Sequence, residues 1–244
     1  MLTTEELIVF LLMALVAEVI GTIGGFGSSL FFVPIAAYFF DFKTALGITG
    51  IFHVASNVSK IALFRQGVQK DLVIKIGIPA VLLVMLGAWL TQHLESDLLQ
   101  LALHIVLISV SLFLLIFQQI KLQPNTANAV AGGIISGFLA GLTGTGGAIR
   151  GLTLAAFRLP KETFIATSAL IDFGVDFSRS IMYYSQGYVT REVWILVAPL
   201  LVISFVGSWI GKRVLRLISE NIFQKIVLIL ILIIGLYGVI SNLI

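Results

Sequence analysis

Two glycine-rich segments carry the residues best suited to bind a ligand. The first is Gly21-Thr-Ile-Gly-Gly-Phe-Gly-Ser-Ser-Leu30, and the second is Gly141-Leu-Thr-Gly-Thr-Gly-Gly-Ala-Ile-Arg150. Glycine lets the chain leave helical geometry and expose amide N–H groups, and the helix that follows turns its positive end toward them. Together with hydroxyl donors, these groups favour an anion. The substrate-binding residues predicted from the two segments are Gly25, Gly27, Ser28, Ser29, Gly144, Thr145, Gly146, Gly147 and Arg150.

The alternative explanation of these glycines is helix packing, because small residues let membrane helices approach closely without any ligand. Arg150 favours the binding interpretation, since a lone cation inside an apolar segment is costly unless it faces a polar cavity or a partner. Its guanidinium could clamp an oxyanion through two hydrogen bonds. It could instead extend toward the membrane interface if its segment lies at a shallow depth.

Two polar stripes on the segments that follow the breaks are the second candidate. Each places three polar side chains at i, i+4 and i+7, which is one face of a helix. A shift of 119 residues superposes the stripes, so a pseudo-twofold axis would direct both toward one central cavity. The gating or coupling residues predicted from them are His53, Asn57, Lys60, Asp172, Asp176 and Arg179.

Pairing within the second stripe follows from its spacing. Asp176 and Arg179 are three residues apart and are expected to form an ion pair, which lowers the cost of burying either. Asp172 is then the carboxylate left without a cation, and we expect it to take up a proton. A structural salt-bridge network that joins the two halves is the alternative. Glu18, Lys60 and His53 are weaker candidates, because each can reach water if it lies near a helix end.

The elements that position these residues are membrane helices. Charged residues make up only 11% of the chain against roughly 25% in soluble domains, and the mean hydropathy is +1.09. Because the N-terminal Met1-Leu-Thr-Thr-Glu-Glu6 has no basic residue, we expect the first apolar segment to be retained rather than cleaved as a signal. With no cysteine and three scattered histidines, no metal and no cofactor are expected. No nucleic-acid partner is expected either.

The apolar segments differ in length. Residues 29–40 are too short to cross a bilayer, which takes roughly 20 residues, and are expected to return toward the side from which they came. The other predicted helices of the first half cover residues 7–23, 44–64, 72–91 and 98–117, and a polar linker follows at 118–126.

The second half repeats the first. A shift of 119 residues places Gly25 on Gly144 and Lys60 on Arg179, and a shift of 120 places Trp89 on Trp209. The predicted fold is an all-α integral membrane protein made of two repeats, residues 1–122 and 123–244. Each repeat is a broken or re-entrant hairpin plus three transmembrane helices. The number of crossings per repeat is odd, so the second copy must be inverted, as in many secondary transporters.

Basic residues predict the orientation of the chain. One face of this topology carries ten of them and the other carries Lys43 and Arg191, so the first face is placed in the cytoplasm and both termini outside. The ten are Arg65, Lys70, Lys75, Lys121, Arg158, Lys161, Lys212, Arg213, Arg216 and Lys225.

The order of these features resembles the sulfite exporter TauE/SafE family of bacterial transporters. The resemblance covers essentially the whole chain and is carried by a glycine-rich break, a short apolar segment with Pro34, a polar helix, the Gln66-Gly67 loop and the second copy. It implies a multi-pass carrier of the prokaryotic inner membrane that moves sulfite, sulfoacetate or other organosulfonates, usually outward.

The function predicted from residues and resemblance together is secondary transport of a small anion, which binds at a midplane site between the two breaks and crosses by alternating access. An anion channel is one alternative, and an uptake carrier for a small carboxylate coupled to protons is another. An enzyme is not expected, since no nucleophile with its base and no metal cluster is evident. Lipid and the small anion are the expected partners, and a homodimer is left open.

Overall fold

The computed structural model describes residues 2–24, 27–64, 67–116, 122–215, 217, 229 and 231–240, and the elements in this part of the chain are helices. They are α1 (Thr4–Gly24), α2 (Ser29–Phe39), α3 (Phe42–Leu63), α4 (Lys70–His93), α5 (Ser96–Ile116), α6 (Thr126–Thr143), α7 (Gly147–Ala155), α8 (Lys161–Ser185), α9 (Arg191–Val214) and α10 (Ile231–Ile240). The all-α membrane fold predicted from the sequence is confirmed.

Helix length and composition separate the membrane helices from the short ones. Six described helices are long and apolar enough to cross a membrane, namely α1, α3, α4, α5, α6 and the Val193–Val214 part of α9. Helix α8 has 25 residues, but it carries the second polar stripe in its middle. Helices α2 and α7 have 11 and 9 residues, so neither can cross a hydrocarbon core that takes roughly 20.

The ends of several helices follow from the local sequence. Asp41 begins α3, and its side chain accepts hydrogen bonds from the N–H groups of Lys43 and Thr44. Asn125 begins α6 in the same way by accepting from the N–H of Asn128. Gly67 and Gly187, which the shift of 120 residues superposes, both have positive φ, +76° and +78°, in the loops that precede α4 and α9.

The site lies where the central helices cross. Helix α3 packs against α8, α1 against α9 and α4 against α6, while the short helices α2 and α7 pack on α1 and α6 respectively. Aromatic packing fills the interior beside α1 and α2, with the rings of Phe32 and Phe52 at a centroid distance of 4.4 Å. Apolar side chains such as Leu12, Leu82 and Val202 are exposed on the outer surface, as lipid contact requires.

Close packing explains part of the glycine content. A Cβ on Gly141 would collide with the backbone of α4 at Val84, and one on Gly207 would lie 2.8 Å from Cγ of Glu18 in α1. A Cβ on Gly21 would collide with Ser28, inside the first glycine-rich segment itself. The packing explanation is therefore correct for these glycines, and it applies to Gly146 as well, where a Cβ would collide with the carbonyl oxygen of Ser136.

Candidate functional site

The two glycine-rich segments interrupt helices as predicted. Helix α1 ends at Gly24 and α2 begins at Ser29, while α6 ends at Thr143 and α7 begins at Gly147. Gly27 and Gly144 adopt φ angles of +83° and +78°, which side-chain-bearing residues rarely adopt. Gly25 lies outside the described residues. We call the described parts of the interruptions break 1 (residues 27–28) and break 2 (residues 144–146).

The two breaks meet inside the protein. The hydroxyl oxygens of Ser29 and Thr145 are 3.4 Å apart, and both residues are buried. A Cβ on Gly144 would lie 2.8 Å from a methyl group of Leu46 and 3.0 Å from one of Val33, so break 2 rests on the first half of the chain. Non-helical backbone at membrane depth requires such burial or a cavity.

Each break leaves the start of a short helix without a capping side chain. The residues before α2 and α7 are Ser28 and Gly146, and neither makes a side-chain hydrogen bond that caps its helix. The first N–H groups of an α-helix have no partner within the helix. Both short helices therefore direct uncapped N–H groups and the positive ends of their dipoles toward the same region.

The polar stripes face each other across α3 and α8. Asn57 donates to a carboxylate oxygen of Asp176 at 2.6 Å, and these are the two positions that the shift of 119 residues superposes. Arg179 donates from Nη2 to Nδ1 of His53 at 3.1 Å, which is a second contact between the stripes. The predicted ion pair between Arg179 and Asp176 is confirmed, with a distance of 2.7 Å.

The expectation that Asp172 has no cationic partner is wrong. Its carboxylate pairs with Nη2 of Arg150, and its second oxygen accepts from the hydroxyl of Ser168 at 3.1 Å. Arg150 is buried with an exposure of 4%, so it does not extend to a membrane interface. The two residues come from different helices, α7 and α8, and sequence spacing alone could not show that they meet.

The expectation that Glu18, Lys60 and His53 can reach water near a helix end is also wrong, because all three side chains are buried. Lys60 Nζ lies 3.0 Å from a carboxylate oxygen of Glu18 and donates to Ser56 at 2.8 Å. Glu18 also accepts hydrogen bonds from four hydroxyls, with O···O distances between 2.7 and 3.2 Å. These hydroxyls belong to Thr22, Ser28, Ser56 and Ser208.

Of the serines in this cluster, the sequence analysis predicted Ser28 as a binding residue but missed Ser56 and Ser208. Ser56 lies directly before Asn57 of the first stripe, but Ser208 is separated from Glu18 by 190 positions along the chain. The signal available in the sequence was the occurrence of serine within otherwise apolar segments. Buried hydroxyls need partners, and a buried carboxylate is the strongest acceptor for them.

His53 connects the two groups of charges and its protonation follows from its partners. Arginine can only donate, so Nδ1 of His53 must accept from Arg179. The neutral ring then carries its proton on Nε2, which donates to Ser28 at 3.0 Å, and Ser28 donates to Glu18 at 2.7 Å. Although Ser28 and His53 have the spacing of a nucleophile and its base, Nε2 has no lone pair to accept a proton in this arrangement.

A small cavity lies between the breaks and the stripes. It offers about 20 Å³ to the centres of water molecules, little more than the roughly 10–15 Å³ that one water requires. Thr145 does not line it but contacts Ser29 beside it. The predicted residues that line it are Gly27, Ser28, Ser29, His53, Asn57, Lys60, Gly144, Gly146, Gly147, Arg150, Asp172, Asp176 and Arg179.

The charges around this cavity balance. The cations Lys60, Arg150 and Arg179 each pair with one carboxylate, from Glu18, Asp172 and Asp176 respectively. Within the described residues, no group of three or more acidic or histidine side chains is arranged to hold a metal ion. The arrangement can bind an anion through the uncapped helix ends together with a cation that one of its pairs releases.

Comparisons with known proteins agree with a membrane role. The family model for the sulfite exporter TauE/SafE matches residues 10–238. A probable membrane transporter protein of Methanocaldococcus jannaschii is 26% identical over 266 aligned positions, which cover 93% of this chain and 97% of that protein. A probable membrane transporter protein of Haemophilus influenzae is 30% identical over 106 residues, and the match spans 43% of this chain and 40% of that protein. No solved structure matches the chain.

Proposed function

Because the chain belongs to the sulfite exporter TauE/SafE family, we propose that it is a secondary transporter for a small anion. The anion binds at the cavity between break 1 and break 2, and the carrier works by alternating access. The relatives described above are named probable membrane transporter proteins, which supports the same class of function. The substrate class is sulfite or an organosulfonate such as sulfoacetate, with a small carboxylate as the alternative.

The observation that carries the proposal is the meeting of two uncapped helix ends beside buried cations. The contact between Ser29 and Thr145 brings the starts of α2 and α7 to one place. Helix N-termini bind anions through their N–H groups and dipoles. Arg150, one turn into α7, adds a planar donor suited to the paired oxygens of a sulfonate or a carboxylate.

Two inverted repeats, residues 1–122 and 123–244, are part of the proposal. Under a twofold relation, superposed positions near the axis contact each other, and the Asn57–Asp176 hydrogen bond is such a contact. The packing of α1 on α9 has its counterpart in the packing of α6 on α4. An inverted pair of repeats supplies two related conformations, which is how many carriers expose one site to each side in turn.

The proposed orientation places both termini outside the cytoplasmic membrane of a prokaryotic cell. It depends on the positive-inside rule. Among described residues, Lys70, Lys75, Arg158, Lys161, Lys212 and Arg213 would lie on the cytoplasmic face, with Lys43 and Arg191 on the outer one. Arg65, Lys121, Arg216 and Lys225, which count toward the same rule, lie outside the described residues.

The small size of the cavity supports a mechanism with a conformational change. Room for about one water molecule does not hold a sulfonate, so the helices around the cavity must separate to admit substrate.

Outward movement of an anion from a cell that is negative inside is downhill by about 2.3 kcal/mol per charge per 100 mV. Export therefore needs no coupling ion.

Counterflow in liposomes tests the proposal. Vesicles loaded with unlabelled sulfoacetate and diluted into labelled sulfoacetate should accumulate label transiently, and the rate should saturate. An anion channel would dissipate the gradient without accumulation. Accumulation that requires an inward proton gradient would instead support the uptake alternative. Absence of any sulfite, sulfonate or carboxylate flux in protein-containing vesicles would refute the proposal.

A further inference from the structure

Of the three ion pairs described around the cavity, two are fixed by additional contacts. Arg179 donates to the backbone carbonyls of Ala140 and Gly144, at 3.1 and 2.7 Å, and its partner Asp176 accepts from Asn57. Glu18 likewise accepts from four hydroxyls in addition to its contact with Lys60. Separating either pair would break several hydrogen bonds at once.

The pair between Arg150 and Asp172 is held by fewer contacts. Nε is buried without a hydrogen-bond partner in both Arg150 and Arg179. In the described part of the chain, however, backbone carbonyls accept from Arg179 and not from Arg150. The second oxygen of Asp172 accepts from Ser168, which lies on the same helix and moves with it. Both charged side chains line the cavity. Of the pairs described here, this is the one in which another anion could replace the carboxylate while the fewest other hydrogen bonds are broken.

Asp172 already provides Arg150 with the anionic partner that the proposed substrate would provide. Its carboxylate is a planar anion on Nη2 of Arg150, and Arg150 lies in the first turns of α7, whose N-terminus is uncapped. A sulfonate on the same guanidinium would present the same kind of oxygen pair. The carboxylate and the substrate cannot occupy the same donors together.

We propose that Asp172 substitutes for the substrate on Arg150 whenever the carrier is substrate-free, and that substrate binding displaces it. This inference rests on the proposed anion transport and assigns Asp172 a competing role within the same site. With Asp172 in place, the substrate-free site stays neutral, so it can be closed to water while the carrier reorients. Without Asp172, Arg150 would be a buried unpaired cation whenever substrate is absent, and that state is strongly disfavoured.

Two modes of transport should respond differently to the loss of Asp172. Exchange of anion for anion needs only the loaded carrier to reorient, whereas net efflux needs the substrate-free carrier to return. Asp172→Asn should therefore bind sulfoacetate at least tenfold more tightly, because the competitor is gone. It should retain exchange of labelled for unlabelled sulfoacetate at no less than half of the wild-type rate. Net efflux into a solution without sulfoacetate should fall at least tenfold.

The controls distinguish this effect from damage to the fold. Asp71→Asn removes an exposed carboxylate that pairs with Lys75 one turn along the same helix, and it should leave affinity, exchange and net efflux unchanged. Asp172→Glu keeps the charge and should restore part of the net efflux that Asp172→Asn loses. Ser168→Ala removes the hydrogen bond to the oxygen of Asp172 that does not pair with Arg150. Of these variants at the site, it should perturb the fold least.

The outcomes are distinct. Equal losses of exchange and net efflux in Asp172→Asn, or unchanged values of both, would overturn the inference while wild-type exchange upheld the proposed function. Wild-type protein that neither binds nor exchanges a small anion would refute the proposed function itself. If Asp172→Asn does not fold, Ser168→Ala decides the matter. A shift in its sulfoacetate affinity of twofold or more supports the competition, and an unchanged affinity overturns it.

Discussion

Replacing Gly144 with alanine tests how break 2 is built. Gly144 has a φ of +78°, and an alanine there should cost about 1–2 kcal/mol in backbone strain. Its Cβ would also lie 2.8 Å from Leu46 and 3.0 Å from Val33, which adds about 1–3 kcal/mol of overpacking. Because the carbonyl of Gly144 accepts from Arg179 at 2.7 Å, a shift of the break should disturb the second stripe as well.

Gly187→Ala is the matched control, since Gly187 has the same φ of +78° and no atom within 4 Å of the position that a Cβ would take. Gly187→Ala should therefore lose only the stability that backbone strain costs, without the contribution from overpacking. We expect Gly144→Ala to be less stable than Gly187→Ala by about 1–3 kcal/mol, or about 2–12 °C in Tm for a chain of this size. Thermal unfolding of both purified variants measures the difference, and sulfoacetate binding should be weakened only in Gly144→Ala. Equal Tm values and equal binding would refute the described geometry of break 2.

Three further predictions concern the contacts between helices. Glu18→Gln should lower the free energy of unfolding by about 3–5 kcal/mol, because it leaves the buried ammonium of Lys60 unpaired. Adding Lys60→Met should recover part of that loss in thermal unfolding. If the effects of the two substitutions were fully additive, the pairing of Glu18 with Lys60 would be contradicted. Asn57→Ala should cost about 1–3 kcal/mol, since the carboxylate that accepts from it loses a donor, and an unchanged Tm would count against that contact. The chain has no cysteine, so the double variant Ser29→Cys and Thr145→Cys would carry two thiols. They should form a disulfide on mild oxidation, which the mass of a linked peptide pair would detect. Thiols that stay free would contradict the contact between the two breaks.

Most of the fold could be predicted from the sequence because its signals are local. Apolar segments of sufficient length predict the membrane helices, and each glycine-rich segment predicts where a helix stops. The short length of residues 29–40 was recognisable for the same reason. The pairing of Asp176 with Arg179 was also predictable, since both lie on one face of one helix.

The partners of Glu18 and Asp172 could not be predicted, because they lie on other helices. A glutamate near the end of an apolar helix has the same local pattern whether it faces water or a buried lysine. Arg150 and Asp172 are 22 positions apart, on α7 and α8, and only their packing brings the two charges together. Helix periodicity specifies which residues share a face but does not specify which faces meet.

Locating a bound anion is the most direct test of whether the two breaks form the binding site. A structure of the purified protein soaked with 2-bromoethanesulfonate would reveal the position of the bromine by its anomalous scattering. We expect one bromine site, in the cavity between break 1 and break 2, with the sulfonate oxygens on the N-termini of α2 and α7 and on Arg150. Bromine bound only at a water-facing end of the molecule, or no bound bromine at a concentration that saturates transport, would contradict it.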